Sequence, residues 1–265
     1  MGGKVITVTS GKGGVGKTTT TANLGVALAR LDKKVVVIDA DIGLRNLDVV
    51  MGLENRIVYD VVDVVEGRCK LRQALIKHKQ FPELYLLPAA QTRDKSAISP
   101  ADMIQLTDQL RKEFDFILLD SPAGIERGFR NALAPADEII IVTNPEVSAV
   151  RDADRIIGLI EAEKKGPPVL ILNRAKADMI RRGEMLSPED VTDILAIKLL
   201  GIVPEDEQVI PASNSGMPIV LNDNSRAGQA FRNIARRLAG ENVPMMPLDD
   251  GNGLFKRLSR LFGGG

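Results

Sequence analysis

Short runs of β-branched and aliphatic residues recur along the chain at helix-sized intervals: KVITVTS (residues 4–10), KVVVID (34–39), LYLLPA (84–89), FDFILLD (114–120), EIIIVTN (138–144), PVLILN (168–173) and LLGIVP (199–204). Several are apolar at nearly every position rather than at alternate ones, the pattern of strands covered on both faces. Between them, TTTANLGVALARL (19–31), SPADMIQLTDQLRKEF (99–114) and SAVRDADRIIGLIEAEKK (148–165) repeat their apolar residues with a helical period. Strand alternating with helix predicts right-handed crossovers, and hence a doubly wound α/β fold around a mostly parallel sheet. Near residue 240 the pattern breaks. GENVPMMPLDDGNG contains Pro, Gly and paired Asp that continue neither element. The expected organisation is a body over residues 1–240, a flexible linker over 241–253 and a separate segment over 254–265.

That segment has a pattern of its own. At roughly 100° per residue, Leu254, Phe255, Leu258, Leu261 and Phe262 share one arc, with Lys256, Arg257 and Arg260 opposite. This is a short amphipathic helix with a basic face, and nine residues are too few to hold a helix in water alone. A helix docked on the core is one reading. A helix that orders on an anionic membrane surface is the other, favoured by the Pro/Gly/Asp connector and the wholly basic polar side. One such segment grips weakly, whereas two on a dimer raise avidity about 10²-fold.

Composition narrows the field further. Lys plus Arg and Asp plus Glu are each 35, so attraction to nucleic acid or lipid must come from local patches. Cys69 is the single cysteine, which excludes an intramolecular disulfide and leaves too few thiolates for a four-cysteine iron–sulfur cluster, even one shared by two chains. MGGKVITVTS has neither the basic-then-apolar order of a secretory leader nor a transit pattern, and Ile6 departs from the myristoylation pattern. The expectation is a soluble, cytoplasmic chain, peripheral on the inner face of the cell membrane.

The chemistry is concentrated in SGKGGVGKTT (10–19), which contains G-x-x-x-x-G-K-[ST] as Gly11, Gly16, Lys17 and Thr18 directly after one expected strand and before a helix. Glycines let backbone N–H groups and the helix N-terminus face a phosphate, Lys17 reaches the β and γ oxygens, and Thr18 offers a hydroxyl to Mg²⁺. A second lysine, Lys12, lies inside the loop, where a plain phosphate loop needs none.

KGGVGKTT (12–19) resembles the deviant Walker A box of the MinD/ParA group of dimeric ATPases, and the resemblance continues through IDADIGLRNLDVVMGLE (38–54), LPAAQTRDK (87–95), DSPAGIE (120–126), TNPEVSAVRDADR (143–155) and VPED (203–206). It implies a P-loop NTPase fold with ATP and Mg²⁺ as ligands. Gly11, Gly13, Gly14, Val15, Gly16, Lys17, Thr18 and Thr19 would wrap the phosphates, and Lys12 would reach the nucleotide of a partner subunit. Asp41 would position the attacking water, unless it only caps the next segment. Thr18, Asp39 and Asp120 would form the metal shell, with SPAG (121–124) as a γ-phosphate sensor, although Asp120 also reads as a strand-end turn. Asn173, Arg174, Pro204 and Glu205 would surround adenine. A guanine-reading N-K-x-D is absent from LNRAKAD (172–178), and Asn173 alone also reads as a turn cap. Glu146, Ser148 and Asp152 would form a nucleotide-responsive dimer edge, with Ser148 also read as a helix N-cap.

The same resemblance implies an ATP-dependent homodimer that brings a MinC-like division inhibitor to the membrane and is released by a MinE-like regulator, thereby placing the division septum. The alternative is a ParA-type partition ATPase acting on DNA. It is disfavoured because the conspicuous basic cluster is interleaved with Leu and Phe in the last segment.

Overall fold

The computed structural model describes residues 2–94 and 97–248. Eight strands form one sheet: β1 (Lys4–Thr9), β2 (Val35–Asp39), β3 (Ile76–Lys77), β4 (Leu84–Leu87), β5 (Phe116–Asp120), β6 (Glu138–Thr143), β7 (Val169–Ala175) and β8 (Lys198–Pro204), in the order β3-β4-β2-β5-β1-β6-β7-β8. Every pairing is parallel except that of β3, which runs antiparallel to β4 at the edge. Seven of the eight strands are those expected from the apolar runs. β3 is too short to leave a pattern.

The strands are apolar throughout because each alternates between two cores. In β1, Ile6 and Val8 face the cluster under α1 (Lys17–Ala29), while Val5 faces the opposite one. In β5, Phe116 and Leu118 join the α1 side, and Ile117 and Leu119 the other. Chain order then brings α2 (Leu47–Val50), α3 (Val61–Val65), α4 (Leu71–Ala74), α5 (Pro100–Leu110), α6 (Arg127–Leu133), α7 (Val147–Ala162), α8 (Ala177–Arg181), α9 (Pro188–Leu195), α10 (Val209–Asn214) and α11 (Arg226–Leu238). α1 packs with α11 on one face of the sheet, and α5 packs with α6 on the other. SPAD encodes the start of α5: Ser99 caps it, Pro100 opens it, and Asp102 accepts hydrogen bonds back from the N–H and hydroxyl of Ser99.

Two joints carry consequences for the site. The buried Asn23 on α1 accepts from the N–H of Val220 at 2.8 Å and donates to the Thr19 carbonyl at 2.8 Å, tying the first turns of α1 to the 3-10 turn Ile219–Leu221. Asn23→Ala is expected to cost about 1–3 kcal/mol in a denaturant melt, because the Val220 N–H then has no partner. The second joint is a crossing of two loops. Gly52 and Gly216, both at positive φ, meet backbone to backbone, and a Cβ on Gly216 would stand 2.5 Å from the Gly52 Cα. The chain leaving α2 is thereby braced on the chain leaving α10.

Beyond α11, the stretch expected as a flexible linker begins on the body. Arg237 donates to the carbonyls of Val243 and Pro244, Arg226 donates to that of Pro247, and Met246 packs against the core. Arginine side chains therefore hold residues 243–247 against α11. The remainder of the linker and Leu254, Phe255, Lys256, Arg257, Leu258, Arg260, Leu261 and Phe262 lie outside the described residues. Among the described residues, no helix is long and apolar enough to cross a membrane.

Candidate functional site

The carboxyl ends of β1, β2, β5 and β7 converge on the loop 10–16, the edge at which open α/β sheets bind ligands. Asp39 and Asp120 end β2 and β5 at one level of register and share the parity of Val37 and Leu118, so both turn to the α1 side of the sheet. Both are buried, at 1 % and 2 % exposure. Thr18 Oγ1 donates to Asp120 Oδ2 at 2.6 Å, and Thr21 Oγ1, one helical turn on, donates to Asp120 Oδ1 at 3.4 Å. Thr21 was not among the expected residues, although its i, i+3 spacing from Thr18 put both hydroxyls on one helix face.

Asp39 has a task that the sequence did not reveal. Its Oδ1 accepts from the Asp41 N–H at 3.0 Å, and its Oδ2 from the Asn46 and Leu47 N–H groups at 3.1 Å each. The carboxylate shapes the loop 41–47 and the start of α2 through these three hydrogen bonds. It also does the capping that was the alternative reading for Asp41.

The electrostatics are those of a site short of positive charge. Burial pushes the Asp120 carboxyl well above the usual carboxylate range, and the neighbouring Asp39 pushes it further. Thr18 and Lys17 act in the opposite direction. Asp39 is raised as well, chiefly by burial, with its backbone hydrogen bonds opposing. Lys17, 8 % exposed, is lowered by burial, while Asp120 and Asp41 pull it back up. Lys17, Asp41 and Asp120 are thus brought into electrostatic range of one another.

These hard oxygen donors, with more buried carboxylate than one lysine can balance, fit a divalent cation. Among the described residues, no three His, Cys, Asp or Glu side chains form a cage. That agrees with Mg²⁺, which retains waters and substrate phosphate oxygens. Because the folded state raises both carboxyls, their contribution to stability is complete below the ordinary carboxylate pKa of about 4 and is lost as pH rises through the raised values. Without divalent ions, the melting temperature is expected to fall from pH 5 toward pH 8, and Asp120→Asn is expected to flatten that slope; a thermal melt series checks both.

Three contacts fix the loop. A Cβ on Gly11 would lie 2.1 Å from the Asp152 carbonyl oxygen, so the loop rests directly on the backbone of α7. A Cβ on Gly13 would touch the Ala123 side chain at 3.9 Å, which places the 121–124 loop alongside. Asn173, at the end of β7, donates from Nδ2 to the Val15 carbonyl at 2.7 Å; it therefore reaches the phosphate loop instead of capping its own turn. Lys12 is exposed.

Arg174, Glu205 and Glu146 meet at a cavity of about 670 Å³, also lined by Val147 and Lys176, while Pro204 is buried at the end of β8. Residues expected to serve the base and the dimer edge thus share one opening. Ser148 is not an N-cap: α7 begins at Val147 and its cap position is Glu146, with no side-chain cap bond. Glu146, Val147 and Ser148 form an exposed face at the helix start. The contact between Gly11 and Asp152 is the feature sequence reasoning could not reach, since 141 residues separate the two.

Comparison with known proteins agrees with this geometry. Residues 6–219 match the family model described as the CobQ/CobB/MinD/ParA nucleotide binding domain. The chain is 55 % identical over 264 residues to the septum site-determining protein MinD of Bacillus subtilis, with 98 % of each chain covered. It superposes with a TM-score of 0.87 on the MinC:MinD cell division protein complex of Aquifex aeolicus, at 51 % identity, covering 92 % of this chain and 99 % of the other. It superposes with a TM-score of 0.81 on the MinD of Pyrococcus horikoshii OT3 complexed with Mg-ADP, at 32 % identity and covering 95 % and 98 %. Fold, phosphate loop and likeness together place this chain in the MinD/ParA family of P-loop ATPases.

Proposed function

We propose that the chain is a nucleotide-switched ATPase of division-site placement, pairing with a second copy across bound ATP and reaching the membrane through residues 254–262. The observation that carries the reading is the seat of Gly11 on α7 beside Asp152. It seats the phosphate loop, with the exposed Lys12, on the helix that carries Ser148 and Asp152 and has Glu146 at its cap position, which supports reading them as parts of one dimer surface.

In this reading the N–H groups of residues 11–16 and Lys17 hold the β and γ phosphates, with Thr19 in the first turn of the helix behind them. Thr18, backed by Asp120, would hold Mg²⁺, which when bound neutralises charge on the phosphates. Asp41 orients the attacking water, and Asp39 keeps Asp41 in place through its backbone. Lys12 extends to the partner's nucleotide, so occupancy by ATP becomes part of the dimer contact. Asn173, Arg174, Pro204 and Glu205 surround adenine at the end of the sheet. The dimer takes up a MinC-like inhibitor, and a MinE-like regulator stimulates hydrolysis, with Glu146, Ser148 and Asp152 at the nucleotide-responsive edge.

The test is co-sedimentation with anionic vesicles alongside analytical ultracentrifugation. Mg·ATP with turnover blocked is expected to give a dimer that pellets with vesicles, and ADP a monomer that stays largely in solution. Phe255→Asp plus Phe262→Asp is expected to abolish pelleting while leaving the dimer. A monomer at saturating Mg·ATP that still pellets with vesicles would overturn the coupling.

A further inference from the structure

A groove of about 860 Å³ runs between α10 and the 3-10 turn Ile219–Leu221. Its walls are Pro211, Met217, Pro218, Ile219 and Leu221, and Glu207 stands at its rim. Met217 is 56 % exposed, although it lies among apolar neighbours. An open apolar trough of this size is a binding surface in want of an occupant.

The path of the chain supplies one. Past α11 the backbone doubles back along that helix. Arg237, at the helix C-terminal end, holds Val243 and Pro244, and Arg226, in its first turn, holds Pro247. The first turn of α11 adjoins the groove: Ser225, its N-cap, donates its N–H to the carbonyl of Asn222 at 3.2 Å, and Asn222 lines the trough. The body therefore delivers residue 247 to the end of α11 at which the groove opens. The steps from residue 247 to residue 254 span at most about 25 Å, enough to reach the groove from this end of α11. Residues 254–262 carry five apolar side chains on one arc, matching the apolar walls, and Lys256, Arg257 and Arg260 opposite them, matching Glu207 at the rim.

We propose that in the single subunit, off the membrane, residues 254–262 lie in this groove with Phe255, Leu258 and Phe262 against its walls. The inference deepens the membrane-anchor reading, on which it rests: the side chains that enter lipid are held by the body until a bilayer competes for them. Docking of about nine molecules in ten reduces vesicle affinity about tenfold. A lone subunit is thereby kept off the membrane more firmly than by the weakness of one segment alone.

The chain contains no tryptophan, so Phe255→Trp or Phe262→Trp provides a single fluorescent reporter in the full-length protein. Without lipid, its emission is expected to be blue-shifted and shielded from iodide. Met217→Glu, at an exposed position the fold does not depend on, is expected to return the emission to that of solvated tryptophan. The same substitution is expected to raise the affinity of the ADP-bound subunit for phosphatidylglycerol vesicles about tenfold. Solvated emission before the substitution, or a blue shift that Met217→Glu leaves unchanged, overturns the proposal. A blue shift lost on dilution identifies a second copy as the occupant and overturns it equally. If the reporter shows the Met217-dependent shift but ignores vesicles in every nucleotide state, docking stands and the membrane-anchor reading falls.

Discussion

Asp41→Ala is expected to lower ATP turnover about 10²–10⁴-fold while leaving ATP affinity within a few fold, the range for loss of a group that positions or activates the attacking water. Phosphoryl transfer depends mainly on placement and charge neutralisation, and here the two are assigned to separate residues. In the proposed function Lys17 and the loop N–H groups hold the phosphates, and losing them would weaken binding itself. Asp41 stands on the next loop, its N–H fixed by Asp39 and its charge within range of Lys17. Removing its carboxylate leaves that scaffold intact. Nucleotide titration with single-turnover phosphate release checks the split. Unchanged turnover would move the water-positioning role to another residue, and a matching loss of affinity would make Asp41 a binding group instead.

Gly11→Ala is the second large effect. A methyl group at Gly11 has no room, because the Asp152 carbonyl oxygen and carbon lie 2.1 Å and 2.3 Å from where it would sit. These are backbone atoms inside α7, which cannot rotate away as a side chain would. Either the phosphate loop lifts off the helix or the start of α7 is pushed outward, and overpacking of this kind costs about 1–3 kcal/mol. A displacement near 1 Å at the phosphates costs about 10²-fold in turnover, so activity should fall well beyond what the stability change alone explains. Dimerisation with ATP should fail as well, since Lys12 and the face of Glu146 and Ser148 no longer keep their relative positions. Gly158→Ala on the same helix is the control. Nothing lies within 4 Å of its Cβ position, and the exchange is expected to stabilise the protein by about 0.5–1 kcal/mol. Urea melts and sedimentation of both variants provide the comparison.

What the sequence revealed and what it concealed follow from the range of the interactions involved. The seven long strands were legible because burial on both faces demands unbroken apolar runs, and α5 because its apolar residues keep a helical period within one short segment. The phosphate loop was legible for the same local reason. The edge strand β3 escaped because its two residues, Ile76 and Lys77, are too few for a period. The loop-shaping role of Asp39 was hidden because it depends on where the Asn46 and Leu47 N–H groups come to lie, seven and eight residues further along the chain. Ser148 is a good capping residue, yet α7 starts two residues before the helix that such a cap would open, at Val147. Of the stretch expected as a linker, the described residues 241–248 form neither helix nor strand. Its attachment depended on Arg226 and Arg237, which sequence alone gives no reason to connect to Pro247 and Val243.

The crossing of Gly52 and Gly216 has a mechanical consequence for signalling. With no side chain on either residue, there is nothing compressible between the two strands of backbone to absorb a shift. The loop shaped by Asp39 runs through α2 into Gly52, so a shift that a bound γ-phosphate imposed at Asp41 would be passed on to Gly216 with little damping, like motion through a rigid pushrod. Ser215 and Met217, on either side of that contact, would move with it, carrying news of the bound nucleotide to a part of the surface that never meets it.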